Sequence, residues 1–456
     1  MNKMHWEKLL SRKRYQNQVL TSSDEWVRGE YQRDYDRIVF SSAFRRLQNK
    51  TQVMPLPESD FVHTRLTHSL ETSCVGRSLG RLVGKQILQN YPNLSKTNQV
   101  NDSNIGDIVA AACLAHDIGN PPFGHSGEDA ISAFFQSNEA QPFITELNDA
   151  QKADLQNFEG NASGFRILTH TYPAQCNMPG GLRLTYTTLA TFTKYPKESL
   201  PKLKGTANTS EKKYGFFQSE KDWFRIIADE LGLLPKATDN QVFYHRHPLA
   251  FLVEAADDIC YRIIDFEDGC RLGLIPPEQG IGLLREILEE TSERQSRLTF
   301  YDWREQLGYL RARIIDKLIN ETADIFIQNE AAILTGAYDK PLIGEVSVKA
   351  VLDKIKTLSV KEIYRNRPVL EIEAAGFEVL GGLLEVFLKA VFEPSSRRHQ
   401  KLLDLVPDQY LDVNRTISSN TYDRILRITD FISGLTDQAA ISLYRKIKGI
   451  SLPKVY

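Results

Sequence analysis

The most unusual stretch of the sequence is an apolar run that ends abruptly in polar and turn-forming residues. Residues 108–115 are almost wholly apolar, and His116, Asp117, a Gly- and Pro-rich turn, His125 and Glu128 follow within a short distance. The run is far shorter than the ~20 residues of a membrane-spanning helix, so it predicts a buried helix of a folded protein. An imidazole and a carboxylate at the end of such a helix lie near the core, where their charge must be compensated.

A divalent metal ion would compensate that charge. Residues 249–272 predict a second buried helix that carries the adjacent carboxylates Asp257 and Asp258, and spacing alone does not decide between them. Imidazole nitrogens and carboxylate oxygens together suit Mn, Fe, Co, Ni or Zn and tolerate Mg. We therefore predict one ion with coordination positions left open for water or substrate, held by His68, His116, Asp117 and Asp257. The alternative for His116 and Asp117 is a structural, hydrogen-bonded pair.

The elements that must position these residues are helices. Apolar periodicity predicts helices over residues 36–47, 67–88, 105–116, 127–135, 158–171 and 249–272. Asn104 is the expected N-cap of the third helix, and Gly119 before two prolines is a strong stop signal. Residues 136–154 are expected to be rich in loops. Helical patterns continue to the C-terminus, so we predict a mostly α fold.

Composition indicates a globular protein of a reducing compartment. The 456 residues include 56 Lys and Arg against 58 Asp and Glu, and the net charge of −2 argues against a general binder of polyanions. The five cysteines are scattered, which is typical of reduced thiols. No apolar leader or membrane-length window is evident, so we expect a cytoplasmic protein without membrane contact.

We expect three parts in the chain. Residues 1–35 are an N-terminal extension packed on the core, residues 36–275 are the core, and residues 276–456 are a C-terminal helical region packed with it as one unit. The core contains an insertion near residues 197–214. Because that segment is rich in Lys, Ser, Thr and Gly, we expect a mobile loop or lid there.

Several motifs resemble a known enzyme family. They are Arg65–Ser69, His116–His125, Phe158–Ala162, Glu254–Ile259 and Asp430–Asp437. The order His68, His116-Asp117, Asp257 resembles the H…HD…D pattern of HD-domain metal-dependent phosphohydrolases. The finer motifs resemble the deoxyguanosinetriphosphate triphosphohydrolase (dGTPase) family over nearly the whole chain. The resemblance implies an HD-domain helical core with additional N- and C-terminal helices, and it favours Asp257 over Asp258 as the ligand.

The resemblance also implies a reaction. Enzymes of this family cleave a deoxynucleoside triphosphate (dNTP) between the α-phosphorus and the 5′ oxygen, which gives a deoxynucleoside and inorganic triphosphate. One divalent ion, Mg, Mn or another first-row metal, would hold the α-phosphate for attack by water. His125 would be the acid/base group, since an imidazole can give and take a proton near neutral pH. Glu128 would orient His125 if Gly127 opens a helix. The alternative for His125 is a turn-capping role.

Further residues would bind the substrate by the same resemblance. The phosphate contacts would come from Arg65, Asn161, Lys194, Tyr195 and Lys213, and the sugar contacts from Gln52, Tyr261 and Asp265. Tyr261 and Asp265 share one helix face with Asp257, at spacings of i+4 and i+8. Tyr261 would pack against the sugar C2′, where a 2′-hydroxyl would clash, and Asp265 would accept the 3′-hydroxyl. The alternative is a buried hydrogen bond between Tyr261 and Asp265.

The sequence departs from some family members and leaves other functions open. Gly160 and Asn120 stand where some members carry His, so proton transfer would depend more heavily on His125. Other HD proteins hydrolyse nucleoside monophosphates, cyclic nucleotides or alarmones, and a non-catalytic scaffold that binds nucleotides or nucleic acid is a further alternative. Members of the dGTPase family also form homo-oligomers, often hexamers, and respond to nucleotide effectors or single-stranded DNA.

Overall fold

The computed structural model shows a helical protein. It describes residues 2–15, 29–52, 63–97, 99–171, 181–203, 205–206, 208–236, 241–288, 300–412, 414 and 416–451. Within these ranges no β-strand occurs, and three isolated β-bridges are present. The predicted mostly α fold is therefore confirmed. None of the described helices is both long enough and apolar enough to cross a membrane.

The longer helices are numbered in chain order. They are α1 (Glu30–Val39), α2 (Arg65–Asn90), α3 (Asp102–Ala115), α4 (Gly124–Gln136), α5 (Asp149–Gln156), α6 (Gly160–Thr169), α7 (Tyr186–Phe192), α8 (Lys221–Leu231), α9 (Ala250–Arg271), α10 (Pro277–Leu288), α11 (Trp303–Gln328), α12 (Lys349–Ser359), α13 (Arg367–Phe392), α14 (Arg397–Leu403), α15 (Thr421–Ser433) and α16 (Asp437–Ile447). Short helices lie at Trp6–Leu9, Ser42–Arg46, Leu94–Thr97, Gln141–Ile144 and Glu330–Leu334, and a π-helical turn at Val360–Tyr364.

Several of the predicted segments differ from the structure, and hydrogen bonding explains two of the differences. Helix α4 begins at Gly124, three residues before the predicted start. Helix α3 begins earlier than expected because Asn101 is its N-cap and Asn104 is the third residue of a reciprocal capping box. The helix expected over residues 36–47 is broken in two because the Ser41 side chain caps a new helix by accepting from the Phe44 N–H. The segment 136–154 carries two helices instead of loops, since its apolar side chains are buried.

Helices α2 and α3 form the most extensive helix pair of the fold. A stripe of glycines on α2, Gly76, Gly80 and Gly84, faces α3. A Cβ atom would lie 2.4 Å from the Cys113 sulfur if added at Gly76, and 2.9 Å from the Gly106 Cα if added at Gly80. The backbones therefore approach closely only because side chains are absent there. Since the later glycines of the stripe meet earlier residues of α3, the two helices are antiparallel.

The buried apolar residues form two clusters. The larger one surrounds α2, α3 and α9 and includes residues of the N-terminal segment and of helices α10, α11 and α12. The smaller one is formed by α4 and α5 with α13, α15 and α16. The C-terminal helices thus share a core with α4, which immediately follows the Pro-rich turn. The three-part division of the chain stays a prediction.

The insertion at residues 197–214 is attached more firmly than the sequence suggests. Lys197, Glu198 and Ser199 at its start and Thr209 and Ser210 near its end are buried, whereas the described residues between them are mostly exposed. Ser210 donates to Asp339, and Glu198 accepts from the Val242 N–H. The expectation of a loop apart from the core is therefore wrong for both ends of the segment, because these polar side chains find buried partners.

The glycine stripe yields a test of the α2–α3 contact. We expect Gly80→Ala to lower the free energy of unfolding by about 1–3 kcal/mol, because the added methyl group would press on the α3 backbone. Gly282→Ala on α10 is the matched control: its added Cβ would meet nothing within 4 Å. Thermal unfolding of both variants checks this, and equal midpoints would contradict the proposed role of the stripe. The control should match or slightly exceed the stability of the parent, because Ala favours helices.

Candidate active site

Three side chains from three helices converge at one point. His68 lies in the first turn of α2, His116 follows the last residue of α3, and Asp257 lies on α9. One ligand atom of each lies within 4.8 Å of the others. Asp257 Oδ1 is 3.3 Å from His68 Nε2 and 3.4 Å from His116 Nε2. Spacing left Asp257 and Asp258 undecided, and the structure places the former in this group.

The three residues fit a metal ion by their chemistry. His116 Nδ1 lies 2.6 Å from the Cys113 carbonyl oxygen and donates to it, which leaves a lone pair on Nε2. That Nε2 atom is buried and, among the described residues, has no well-formed hydrogen bond. Two imidazole nitrogens and one carboxylate oxygen form a donor set suited to a divalent first-row metal.

Asp257 is ionised because the Lys194 ammonium and two imidazole rings lie beside it. Burial by itself would raise the pKa of this carboxyl, but Lys194 and the two imidazoles outweigh the effect and hold the pKa well below its usual range. Lys194 Nζ is buried and lies 2.6 Å from Asp257 Oδ2. Burial and the negative charges of Glu254 and Asp257 raise the pKa of the neighbouring Asp258 to about 7. The two adjacent carboxyls therefore differ widely in acidity.

Asp117 borders the group and bonds elsewhere. Its Oδ2 accepts from Arg65 Nη1 at 2.6 Å, and its Oδ1 accepts from Asn120 Nδ2 at 2.6 Å and lies 3.5 Å from His116 Nε2. Arg65 approaches the Pro-rich turn so closely that a Cβ at Gly124 would lie 2.6 Å from Arg65 Nη2. Glycine at this position, which also has φ +59°, is what admits the guanidinium.

A cavity of 520 Å³ opens beside these residues. Seven of the residues selected from the sequence line it: Gln52, Arg65, His68, Asp117, His125, Asp257 and Tyr261. The volume falls in the usual range for sites that bind small molecules. Gln52 presents a buried amide oxygen that has no hydrogen-bond partner among the described residues. A polar atom left in that state is suited to receive a ligand donor.

His125 and Glu128 both lie in the first turns of α4 but do not touch. Glu128 Oε1 accepts from the Gly160 N–H at 2.8 Å, and its Oε2 is 3.6 Å from Lys213 Nζ. In the described part of the chain no hydrogen bond joins Glu128 to His125, so the expected contact is not formed. His125 is exposed, but the protein around its ring removes part of its hydration. This desolvation and the positive charges of Lys213 and Arg65 lower the pKa of His125.

Tyr261 and Asp265 are linked through a residue that the sequence did not suggest. Tyr364 stacks on Tyr261, with ring centroids 5.4 Å apart and planes at 3°, and its hydroxyl donates to Asp265 Oδ2 at 2.8 Å. The alternative of a direct Tyr261–Asp265 hydrogen bond is therefore wrong. Burial raises the pKa of Asp265 to about 7, and its Oδ1 is buried without a partner in the described residues.

Four of the residues expected to contact phosphate are not part of the cavity lining. Among the described residues that line the cavity, Asn161, Lys194, Tyr195 and Lys213 are absent. Lys194 binds Asp257, as described above. Lys213 Nζ and the Asn161 amide both donate to Glu159 Oε1, at 3.1 and 2.7 Å. Burial raises the pKa of Tyr195 to about 12.

The sequence reasoning missed the far wall of the cavity. Residues between 360 and 373 supply it: Val360, Tyr364, Val369, Ile372 and Glu373. They belong to the π-helical turn and to the first turns of α13. No sequence motif identifies these residues. An apolar side chain on a helix is as compatible with a place in the buried core as with a place in a cavity wall. The motif Asp430–Asp437 was the one sign that C-terminal residues contribute to the site.

Comparisons with known proteins agree with this geometry. Residues 65–154 match the HD domain, and residues 345–446 match the phosphohydrolase-associated domain. A deoxyguanosinetriphosphate triphosphohydrolase-like protein of Synechocystis is 43% identical over 98% of this chain and 100% of its own length. One from Pseudomonas aeruginosa is 38% identical over 99% of this chain and 100% of its own length.

More distant relatives carry the enzyme name without qualification. The deoxyguanosinetriphosphate triphosphohydrolase of Klebsiella pneumoniae subsp. pneumoniae is 30% identical, and the alignment covers 98% of both chains. Two observations assign the chain to a family: its similarity to these relatives over nearly the full length, and the convergence of His68, His116 and Asp257. It belongs to the deoxyguanosinetriphosphate triphosphohydrolase family of HD-domain proteins and is a hydrolase.

Proposed function

We propose that the protein hydrolyses dGTP to deoxyguanosine and inorganic triphosphate. The supporting observation is the shared cavity: three of the four metal-binding candidates (His68, Asp117 and Asp257) line it together with Arg65, His125 and Tyr261. The relatives' names point to the same substrate. The homo-oligomer and the nucleotide or single-stranded DNA effectors that the resemblance implies stay predictions.

In this proposal His68, His116, Asp117 and Asp257 hold one divalent ion. When bound, the ion supplies positive charge that stabilises the charge developing on the α-phosphate. Arg65 reaches the same region and can bind phosphate oxygens in a bidentate manner, while Asp117 fixes its guanidinium. Lys194 keeps Asp257 ionised and therefore able to act as a ligand.

His125 transfers the proton in this scheme. Departure of the 5′ oxygen creates an alkoxide, which needs a proton, and the attacking water must lose one. The lowered pKa of His125 makes the free imidazole the main form near neutral pH, so the ring can accept a proton before it donates one. Lys213 and Arg65 lower the pKa of this ring through their charge, and Asp117 and Glu159 act in the opposite direction.

Two aromatic rings and two carboxyls would recognise the sugar and base. Tyr261 would pack against the deoxyribose and leave no room for a 2′-hydroxyl, and Tyr364 holds it by stacking. Asp265 and Gln52, each with an unpaired buried oxygen, would accept from the sugar hydroxyl. Glu373 lines the same cavity. Guanine presents two adjacent donors, N1–H and N2–H, to a carboxylate, whereas adenine, cytosine and thymine do not.

Product analysis tests the reaction. Purified protein with Mn and dGTP should release deoxyguanosine and triphosphate. In ¹⁸O-labelled water the label should enter the triphosphate, because water attacks phosphorus. Ion-exchange chromatography and mass spectrometry measure both. Orthophosphate or diphosphate as product would overturn the proposal in favour of another HD-type hydrolysis, and inactivity on every dNTP would favour the non-catalytic scaffold.

Replacement of His125 tests its role in proton transfer. We expect His125→Ala to lower kcat by about 10²–10⁴-fold, since general acid–base catalysis contributes that much. Bound metal, measured by elemental analysis, should be unchanged because the metal-binding candidates lie on other helices. His399→Ala on α14, a half-buried histidine that does not line the cavity, is the control and should retain the parent's kcat. An active His125→Ala enzyme would show that another group moves the proton.

Replacement of Glu373 tests base recognition. Glu373→Gln keeps the side-chain size but exchanges one acceptor oxygen for a donor, so one guanine N–H would lose its partner. We expect kcat/KM for dGTP to fall by about 10–100-fold, with little change for dATP. Glu371→Gln, at an exposed position two residues earlier on α13, is the matched control. Equal losses on dGTP and dATP would contradict a base-specific role.

A further inference from the structure

Asp437, at the start of α16, ties two loops of the active-site cavity together. It is 1% exposed, although it belongs to a charged residue type. Its Oδ2 accepts from the Thr51 N–H at 2.9 Å and also from the Thr51 hydroxyl. Its Oδ1 accepts from the Phe123 N–H at 3.1 Å. One carboxylate thus joins three segments that are far apart in sequence.

Both loops carry residues of the proposed chemistry. Gln52 follows Thr51 directly, and His125 lies two residues after Phe123. Thr51 and Phe123 themselves line the cavity. A shift of either loop would therefore move a group that faces the substrate.

The Phe123 backbone needs such a restraint. Its φ is +66°, in the left-handed region that disfavours residues with a side chain. Phe123 is also the residue that precedes α4, so its conformation sets the direction in which α4 presents His125. The hydrogen bond to Asp437 holds the N–H of this strained residue. Strain of this kind persists only where surrounding contacts enforce it.

A second contact strengthens the connection. Lys50 is buried, and its ammonium donates to the carbonyl oxygens of Asn120 and Ser433, the latter at 3.0 Å. Asn120 in turn donates to Asp117. Ser433 ends α15, shortly before Asp437. The corner between α15 and α16 therefore contacts the same two loops through two residues, Ser433 and Asp437.

We propose that Asp437 is a positioning residue of the enzyme, which holds Gln52 and His125 in place for the substrate. This inference rests on the proposed hydrolysis of dGTP. It gives residues 345–446, the phosphohydrolase-associated domain, a second role besides lining the cavity: they position residues of the other domain for the reaction. The carboxylate acts through the two loops and does not itself reach the substrate.

Asp437→Asn is the informative variant. An amide keeps one acceptor oxygen and replaces the other with a donor, so either Thr51 or Phe123 loses its partner while the side-chain volume is preserved. We expect kcat with dGTP to fall by at least about tenfold and KM to rise, since small displacements of reacting groups have large effects on rate. Bound metal should equal that of the parent, because His68 and Asp257 lie on helices outside the two loops, and His116 and Asp117 are held by the Cys113 carbonyl and by Arg65.

Asp154→Asn is the matched control for a purely structural effect. Asp154 is as deeply buried, and it accepts from the Gln218 N–H at 2.7 Å and from the Tyr422 hydroxyl. These partners lie outside the cavity lining. We expect Asp154→Asn to lower the thermal midpoint while kcat and KM, measured well below that midpoint, stay within about twofold of the parent.

Thr51→Val gives a second, milder test that does not depend on the folding of Asp437→Asn. Valine has the shape of threonine and lacks only the hydroxyl that donates to Asp437. We expect KM for dGTP to rise by about threefold with bound metal unchanged.

The outcomes separate the two proposals. Parent-like kcat and KM in Asp437→Asn, or in Thr51→Val if Asp437→Asn does not fold, would overturn the positioning role, as would an equal loss in Asp154→Asn. If the parent itself releases no triphosphate from any dNTP, it is the proposed function that fails.

Discussion

The antiparallel contact between α2 and α3 fixes where the two imidazoles of the site can be. Because the helices approach through glycines, the first turn of one lies beside the end of the other, and His68 meets His116. Neither helix could carry a larger side chain at the contact without moving its histidine. The third side chain, Asp257, comes from α9, which packs on α2 in the same core. Geometry fine enough to hold a metal ion thus derives from helix packing and not from loops.

Ion pairs hold the charged side chains around the three converging residues in place. Lys194 pairs with Asp257, Arg65 with Asp117, and Lys213 with Glu128 and Glu159. Each pair places a cation close to the cavity, and the carboxylate of the pair neutralises that cation while no substrate is bound. A triphosphate brings several negative charges, and the arginine nearest to the cavity is already held in position by its carboxylate. Much of the ordering cost of binding an anion is therefore met during folding.

The sequence predicted the near side of the site well and the far side poorly. His68 and His116 follow from imidazoles at helix ends, and the family resemblance favoured Asp257 over Asp258. Their helices follow from apolar periodicity, so α2 and α9 agree closely with expectation. Helix starts depend on single side-chain hydrogen bonds, which is why the capping residue of α3 was misplaced. Tyr364 and Glu373 could not be predicted as site residues from the sequence. They lie in the π-helical turn and in α13, and the position of this cavity wall depends on how the two apolar clusters pack against each other. Glu128 was expected beside His125 from helical spacing, but the Gly160 N–H competes for its carboxylate.

The position of the cavity wall along the chain has a consequence for biosynthesis. A chain synthesised through α9 already contains all the metal-binding candidates, whereas the residues that close the cavity and Asp437 lie roughly 100 to 180 positions after Asp257. Such a partial chain has the residues of the cluster but not those of the pocket. On the proposed function, hydrolysis of a nucleotide would therefore require that the C-terminal helices have been made and packed on α4.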